Sequence, residues 1–303
     1  MNALQRIWQK LLPHRILALI GLVFESNGLK ERRTKVLNHF KTVDPNSLEP
    51  EILEGLDYLK SHKFASFPYN WTKKYDKFFP EVFRDTDHQR FYVYFEGKRM
   101  YFPKSITNKQ VIWAMRLIYR EQDSKSPHLY LTPDFQIEPN SIVVDAGVAE
   151  GNFALSVVEM AKHLFLIECD KEWMEALKIT FAPWKEKVTF VEKYMSDCDD
   201  ESTTSIDGLF KPEADEKYFI KMDIEGFEQK ALAGMKNLAA SGKSIKMDVC
   251  TYHQPEALQE IEVFLKDYGF HYQVSDGFVL FFQNGEEPSF RKVLVRAERT
   301  TIN

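Results

Sequence analysis

The chain has 303 residues and a formal net charge of −5 at pH 7, so it is long enough for one large domain or two modest ones with a sizeable core. It has no overall excess of positive charge, which argues against a nucleic-acid partner. Its three cysteines, Cys169, Cys198 and Cys250, are an odd number without a C-x-x-C pair, which favours a reducing compartment and disfavours a structural zinc site.

The first 41 residues are locally basic. They carry eight Lys or Arg and two acids, so eight minus two gives a local charge of +6. The apolar run Ile16–Phe24 is shorter than the about 20 residues needed to span a bilayer, and no small-x-small cleavage site follows it. We therefore expect a cytoplasmic protein. The basic segment is interpreted as a solvated helix face, with peripheral contact at the inner membrane surface as the alternative.

Residues 1–130 are predicted to form an accessory region that is helical in its first half. The alternation of apolar and polar residues in Phe91–Phe102 predicts a β-hairpin. Helical periodicity follows in Asn108–Gln122. The polar loop Glu121–Tyr130 leads into the next strand and is expected to lie over the mouth of a cofactor site. His128 in this loop could be a site residue, but we expect it to be solvated, as a loop histidine after a proline more often is.

The chain is organised around Ser141–Leu155, where an apolar strand passes through Asp145 into a glycine-bracketed turn and then into a helical pattern. Gly147 and Gly151 suit such a turn, and the three parts together predict the first unit of a nucleotide-binding α/β sheet. The dinucleotide fingerprint needs a glycine where Asp145 stands. This carboxylate would repel a pyrophosphate but suits an ammonium and a sulfonium, which predicts S-adenosylmethionine (SAM) as the cofactor.

Glu168 is predicted to end the second strand of this sheet. It follows Asp145 by 23 positions (168 − 145), close to the spacing of roughly 20 at which an acid accepts both ribose hydroxyls. Further strands are predicted at Lys187–Val191, Tyr218–Asp223 and Ser244–Cys250, with helices at Glu172–Phe181 and Glu256–Tyr268. Two last strands, Tyr272–Phe282 and Arg291–Ala297, are predicted to form a hairpin around Asn284-Gly285. This alternation is typical of a mostly parallel sheet covered on both faces.

The octet Lys221-Met-Asp-Ile-Glu-Gly-Phe-Glu228 resembles the K-x-D-x-E-G-x-E signature of the FkbM-type SAM-dependent methyltransferases. The resemblance covers roughly residues 121–300. It is supported by Asp145-x-Gly147-x-x-x-Gly151-Asn152, Ser205-Ile-Asp207, Tyr252-His253-Gln-Pro255-Glu256 and Ser126-Pro-His128-x-Tyr130. Two departures are Glu150, where the family commonly has Asn, and Glu168-Cys-Asp in place of the frequent Glu-x-x-Pro.

The resemblance implies an α/β fold of the class I methyltransferase type, Rossmann-like, over residues 131–303. We expect a mostly parallel seven-stranded sheet with a C-terminal antiparallel hairpin, joined to the mainly helical accessory region 1–130. The expected cofactor contacts follow from the positions of these residues. The methionine end of SAM should contact the glycine turn, and Glu168 should accept hydrogen bonds from the ribose. The predicted cofactor-binding residues are Asp145, Gly147, Glu150, Gly151, Asn152, Glu168, Ser196 and Asp197, the last two beside the adenine.

Catalysis is assigned to His253, Asp223 and Glu225, because ligands of an open α/β sheet bind beyond the carboxyl ends of its strands. Methyl transfer to a hydroxyl needs a base or a metal, and His253 is the candidate base, with a satisfied structural histidine as the equal alternative. Asp223 and Glu225 could hold the acceptor, orient the imidazole or bind a divalent metal. The predicted function is O-methylation of a sugar, glycan or related small molecule.

Three other functions are alternatives to O-methylation. A non-catalytic SAM- or glycan-binding module stays open, since a fold alone does not imply catalysis. Methylation of a nucleic acid or an exocyclic amine is disfavoured, because the fourth strand ends in Asp-Ile-Glu-Gly and not in an Asn/Asp-Pro-Pro-aromatic clamp. An NAD dehydrogenase would need the glycine that Asp145 replaces. The sequence names neither the acceptor nor the oligomeric state.

Overall fold

The computed structural model describes residues 26–211, 216–282 and 287–300. The apolar run of residues 16–24 and the basic residues before it lie outside this part of the chain. Two helices open the described part, α1 (Ser26–Phe40) and α2 (Pro50–Ser61), as the helical prediction for this region requires. Proline at the first position of α2 costs no hydrogen bond there. Within the described ranges, no helix is both long and apolar enough to cross a membrane.

A small antiparallel sheet follows, formed by β1 (Phe83–Asp85), β2 (Arg90–Phe95) and β3 (Lys98–Tyr101). The predicted hairpin is confirmed as β2 and β3, and its turn residues Glu96 and Gly97 both have positive φ, as two-residue hairpin turns require. β1 adds a third strand that the sequence did not predict. Helix α3 (Asn108–Glu121) comes next and begins with a capping box between Thr107 and Gln110.

The main sheet has seven strands, the number that was predicted. In chain order its strands are β4 (Ile142–Ala146), β5 (His163–Ile167), β6 (Val188–Val191), β9 (Lys217–Met222), β10 (Ser244–Cys250), β11 (His271–Val274) and β14 (Leu294–Arg299). Within the sheet they lie in the order β11-β14-β10-β9-β4-β5-β6. The neighbouring strands β10, β9, β4, β5 and β6 are parallel to one another. β14 runs antiparallel to both of its neighbours, β10 and β11.

The segments between these strands place helices on both faces of the sheet. They are α4 (Asn152–Val157), α5 (Lys171–Thr180), α6 (Ile206–Leu209), α7 (Glu228–Ala233), α8 (Lys236–Ala240) and α9 (Ala257–Asp267), with a two-stranded ladder of β7 (Tyr194–Met195) and β8 (Thr203–Thr204). The chain moves outward from β4 through β5 to β6 and then returns to add β9 on the other side of β4. This reversal creates a crevice at the carboxyl ends of β4 and β9, where open α/β sheets bind their ligands.

The predicted long strand Tyr272–Phe282 is wrong, because the chain divides it into β11 and β12 (Val279–Phe281). Gly277 between them has φ +85° and turns the chain out of the sheet. β12 then pairs with β13 (Ser289–Arg291) in a separate ladder, and the hairpin partner of β11 in the main sheet is β14. The turn predicted at Asn284-Gly285 lies outside the described residues.

The strands alternate their side chains between two hydrophobic layers. Val143 and Phe219 face one layer, whereas Ile142 and Ile220 face the other. The first layer also contains buried residues from before the main sheet, including Phe102 of the segment after β3. The amino-terminal region and the main sheet therefore share one core.

Candidate functional site

The turn after β4 is held by close backbone contacts with both neighbouring strands. Gly147 has φ +75° and its N–H donates to the carbonyl oxygen of Ile167 over 3.0 Å. A Cβ atom on Gly147 would lie 2.0 Å from the carbonyl oxygen of Asp223. Only glycine fits here, and the turn after β4 therefore lies directly against the end of β9.

Glu168 stands at the end of β5 and is buried against the same turn. Its carboxylate accepts hydrogen bonds from the N–H groups of Ala149 (3.0 Å) and Asp170 (2.8 Å). Burial raises the pKa of the Glu168 carboxyl above its ordinary value, although these two hydrogen bonds oppose the shift. A buried carboxylate is thus fixed at the position predicted for the ribose.

Asp145 forms a buried ion pair with Lys221, the first residue of the octet, with 2.9 Å between Oδ1 and Nζ. Lys221 also donates to the carbonyl oxygen of Gly147 over 2.7 Å. Lys221 therefore balances the charge of Asp145, which the sequence analysis had assigned to attract a cationic ligand. The negative charge at this edge of the sheet belongs instead to the acids that follow β5 and β9.

The other predicted cofactor residues lie in two places. Glu150 is buried in the glycine turn, and Asn152 begins α4. Gly151 has φ +81°, and a Cβ there would lie 2.8 Å from the Leu177 side chain, so glycine allows α4 to pack closely against α5. Ser196 is buried after β7 and donates to the exposed Asp197 over 3.1 Å, which places both residues beside the β7–β8 ladder.

His253 follows β10 and lies among three carboxylates. Its Nδ1 is 2.8 Å from Oε1 of Glu228, and since a carboxylate only accepts, Nδ1 carries the proton in this hydrogen bond. Nε2 lies 3.5 Å from Oδ1 of Asp223 and 3.6 Å from Oε2 of Glu225. The imidazole is thus oriented by one acid and presents its second nitrogen to two others.

The pKa of His253 reflects two opposing effects. Burial lowers it, but the hydrogen bond with Glu228 and the charges of Glu225 and Asp223 outweigh burial and raise it to about 9. At neutral pH the unliganded protein therefore holds an imidazolium at this position. The positive charge of this ring partly balances the three carboxylates.

Asp223 also has partners from the loop before β4. The hydroxyl of Tyr130 donates to Oδ2 of Asp223 over 2.8 Å, and Nε2 of His128 lies 3.7 Å from the same oxygen. The prediction that His128 is solvated is wrong, because it is 1% exposed and packed against the rings of Tyr130 and Tyr252. The loop lies over the carboxyl end of β9, close to where the sequence placed it.

The structure thus joins the predicted residues Gly147, Glu168, Asp223, Glu225 and His253 along one edge of the sheet. The sequence did not predict the contacts of Glu228 and Tyr130 with these residues. Their signal was present, since Glu228 ends the octet and Tyr130 lies in a segment that shared the family resemblance. Roles had been assigned in the octet only to Asp223 and Glu225.

Two groups of side chains have donor atoms close enough together to hold a metal ion, with all three atoms within 4.8 Å of one another. One comprises His128, Asp223 and Cys250, and the other Asp223, Glu228 and His253. Asp223, one of the two acids predicted for a metal, belongs to both groups, and the second group adds Glu228 and His253. In that group Nδ1 of His253 is hydrogen-bonded to Glu228.

The sequence of residues 137–272 matches the family model of the Methyltransferase FkbM domain. Among solved structures, methyltransferase FkbM from Methylobacillus flagellatus KT is similar, with a TM-score of 0.45 and 18% identity over 62% of this chain and 54% of that chain. The precorrin-6y C5,15-methyltransferase from Geobacter metallireducens GS-15 has a TM-score of 0.38 and 13% identity over 66% of this chain and 95% of that chain.

An rRNA methylase from Streptococcus thermophilus has a TM-score of 0.37 and 14% identity over 54% of this chain and 89% of that chain. The present chain spans about half of the length of the Methylobacillus protein. None of the curated proteins matches it. The matched residues 137–272 include the glycine turn, the octet and His253, so this part of the chain is similar to a methyltransferase FkbM domain.

Proposed function

We propose that the protein is a SAM-dependent methyltransferase that methylates a hydroxyl group of a sugar, a glycan or a related small molecule. The FkbM domain supports methyl transfer. The observation that carries the choice of a hydroxyl acceptor is the pairing of His253 with Glu228 next to Asp223 and Glu225. Mere binding of a ligand does not need a buried, oriented imidazole, whereas removal of a proton from an alcohol does.

The residues at this edge fit SAM. A carboxylate has about four lone-pair positions, so Glu168 keeps acceptor capacity for two ribose hydroxyls after its hydrogen bonds to Ala149 and Asp170. The acids Asp223 and Glu225 provide negative charge for a cationic ligand at the neighbouring strand end. When bound, SAM supplies an electrophilic methyl group on its sulfonium.

In this mechanism His253 is the general base. Glu228 holds Nδ1–H, which leaves Nε2 as the nitrogen that takes the proton of the acceptor hydroxyl while the new O–C bond forms. Asp223, fixed by the Tyr130 hydroxyl, and Glu225 are on the same side of the ring and can accept hydrogen bonds from other hydroxyls of the acceptor. The chain's own residues thus position the acceptor and receive its proton.

The test is release of S-adenosylhomocysteine from SAM with a panel of monosaccharides, nucleotide sugars and RNA. We expect turnover with a saccharide and none with RNA. In the His253→Ala variant turnover should fall by about 10² or more while SAM affinity in calorimetry is unchanged, because His253 acts on the acceptor. His271→Ala, a change at an exposed residue of edge strand β11, is the matched control. Full activity of His253→Ala, or methylation of RNA alone, contradicts the proposal.

A further inference from the structure

A cavity of about 200 Å³ opens between the loop after β10 and the β12–β13 ladder. The described residues that line it include two aromatic rings, two cations and two neutral polar groups: Phe278, Phe290, Arg291, Lys292, Thr251 and Gln254. None of the described residues that line this cavity is acidic. Its chemistry therefore differs from the acid-rich cluster around His253.

The cavity adjoins that cluster through direct hydrogen bonds. Gln254, which lines the cavity, donates from its side chain to the carbonyl oxygen of Gly226 over 2.7 Å, next to Glu225. Arg291 donates to the carbonyl oxygens of Tyr252 (3.0 Å) and His253 (3.2 Å). A ligand in this cavity would lie beside the segment that carries the proposed base.

The two cations are held at the cavity by aromatic rings. The guanidinium of Arg291 lies 4.0 Å from the centre of the Phe281 ring, and Nζ of Lys292 lies 4.0 Å from that of Phe278. Nζ of Lys292 also lies 3.7 Å from Oε2 of Glu49, whose side chain is 56% exposed. Such a surface ion pair is weak, so an anion entering the cavity can compete with Glu49 for Lys292.

We infer that this cavity is the acceptor subsite and that it takes a saccharide bearing an anionic group, a phosphate or a carboxylate. The inference rests on the proposed function, whose acceptor class it narrows. Aromatic rings offer an apolar wall to a sugar, Thr251 and Gln254 offer hydrogen bonds to its hydroxyls, and Lys292 offers a charge-assisted hydrogen bond to an anion. Glu49, from the segment before α2, sets how much of the charge on Lys292 is available.

The test uses calorimetry at low salt with glucose 6-phosphate, glucuronate and neutral glucose as probes, in the presence of SAM. We expect at least one anionic probe to bind about tenfold more tightly than glucose, the worth of one charge-assisted hydrogen bond. Comparison of the phosphate with the carboxylate identifies which anion the cavity prefers. Lys292→Met should remove this preference, and Glu49→Gln should strengthen binding of the anionic probe.

Lys236→Met, a change at an exposed lysine of α8, is the control and should leave every affinity unchanged. The opposite directions expected for Lys292→Met and Glu49→Gln separate a charge effect from damage to the fold. Equal affinity for glucose and both anions, or a preference that survives Lys292→Met, overturns the inference. This experiment measures binding of the probes and not methyl transfer. Loss of the anion preference would therefore not contradict the proposed methyl transfer, and absence of methyl transfer would not change the measured affinities.

Discussion

His253, the proposed base, can accept a proton only when its imidazole is neutral, and its neighbours favour the charged form. Burial lowers the pKa of His253, but Glu228, Glu225 and Asp223 raise it to about 9. The fraction of neutral imidazole therefore grows as the pH rises from 7 towards 9. We expect kcat to increase over the same interval and to level off above it.

Glu228→Gln tests this explanation at the residue that contributes most to the raised pKa. The amide oxygen can still accept the Nδ1–H of His253, but the negative charge is gone. The pKa of His253 should fall, so the midpoint of the pH–kcat curve should move to lower pH. Glu225→Gln is the control and should move it less, since Glu225 is more exposed and 3.6 Å from Nε2. An unchanged midpoint in Glu228→Gln contradicts the assignment of His253 as the base.

The same pKa shift has a consequence for stability. The folded-state pKa of His253 lies above the ordinary value of 6.5, so the ion pairs of the imidazolium contribute fully to stability below about pH 6.5 and are lost as the pH rises through about 9. Optimal activity and optimal stability are thus expected at different pH values. This conflict is common where a buried group must change its charge to function.

At the residue scale the sequence predicted that Asp223 and His253 would meet, because both follow neighbouring parallel strands. It did not predict the partners of these residues. Lys221 lies beside Asp145 because the register of β9 against β4 pairs these two residues. Contacts between side chains from distant segments depend on this register, which local patterns do not encode.

At the scale of elements, the turn after β4 is set by its contact with the end of β9. Gly147→Ala would add a Cβ atom 2.0 Å from the Asp223 carbonyl oxygen and would also strain a residue with φ +75°. Left-handed backbone alone costs about 1–2 kcal/mol, and the clash adds to it, so we expect a loss of about 3 kcal/mol or more in the free energy of unfolding. SAM affinity should fall as well, because Ala149 and Glu168 would shift with the turn.

Gly97→Ala is the matched control for this change. Gly97 has φ +77°, but apart from its chain neighbours no heavy atom of the described residues lies within 4 Å of its added Cβ. It should therefore lose only the backbone contribution, about 1–2 kcal/mol, and bind SAM normally. Urea denaturation and calorimetry measure the two effects separately. Equal destabilisation of the two variants would show that the contact between the turn and β9 is unimportant.

Elements of residues 137–272 were predictable wherever an apolar strand and an amphipathic helix alternate. The parallel strands β4, β5, β6, β9 and β10 all lie where the pattern predicted them. The division of Tyr272–Phe282 was not predictable, because strand-forming residues lie on both sides of Gly277 and a local pattern does not distinguish a glycine within a strand from one that ends it. The structure shows the division through the partners of the two strands, since β11 pairs with β14 and β12 with β13.

At the scale of the whole molecule, the predicted division at residue 130 is crossed by buried contacts. The backbone N–H of Tyr101 in β3 donates to Oγ1 of Thr180 at the end of α5 over 3.0 Å, and both residues are buried. Arg90 of β2, also buried, forms an ion pair with Glu175 of α5. Hydrophobic residues from both sides of residue 130 belong to one cluster. We expect the two regions to unfold together.

Thr180→Val tests this coupling. Valine keeps the volume of threonine but leaves the buried N–H of Tyr101 without its acceptor, which costs about 1–3 kcal/mol. Thr34→Val, at an exposed position of α1, is the control and should change stability by less than about 0.5 kcal/mol. Urea unfolding followed by hydrogen exchange reports separately on peptides from β2–β3 and from α5.

If the shared core governs unfolding, both sets of peptides should lose protection at the same urea concentration in the unchanged protein, and Thr180→Val should lower that concentration equally for both. Two separate transitions, or a shift confined to α5, would mean that the small sheet is only attached to the main one.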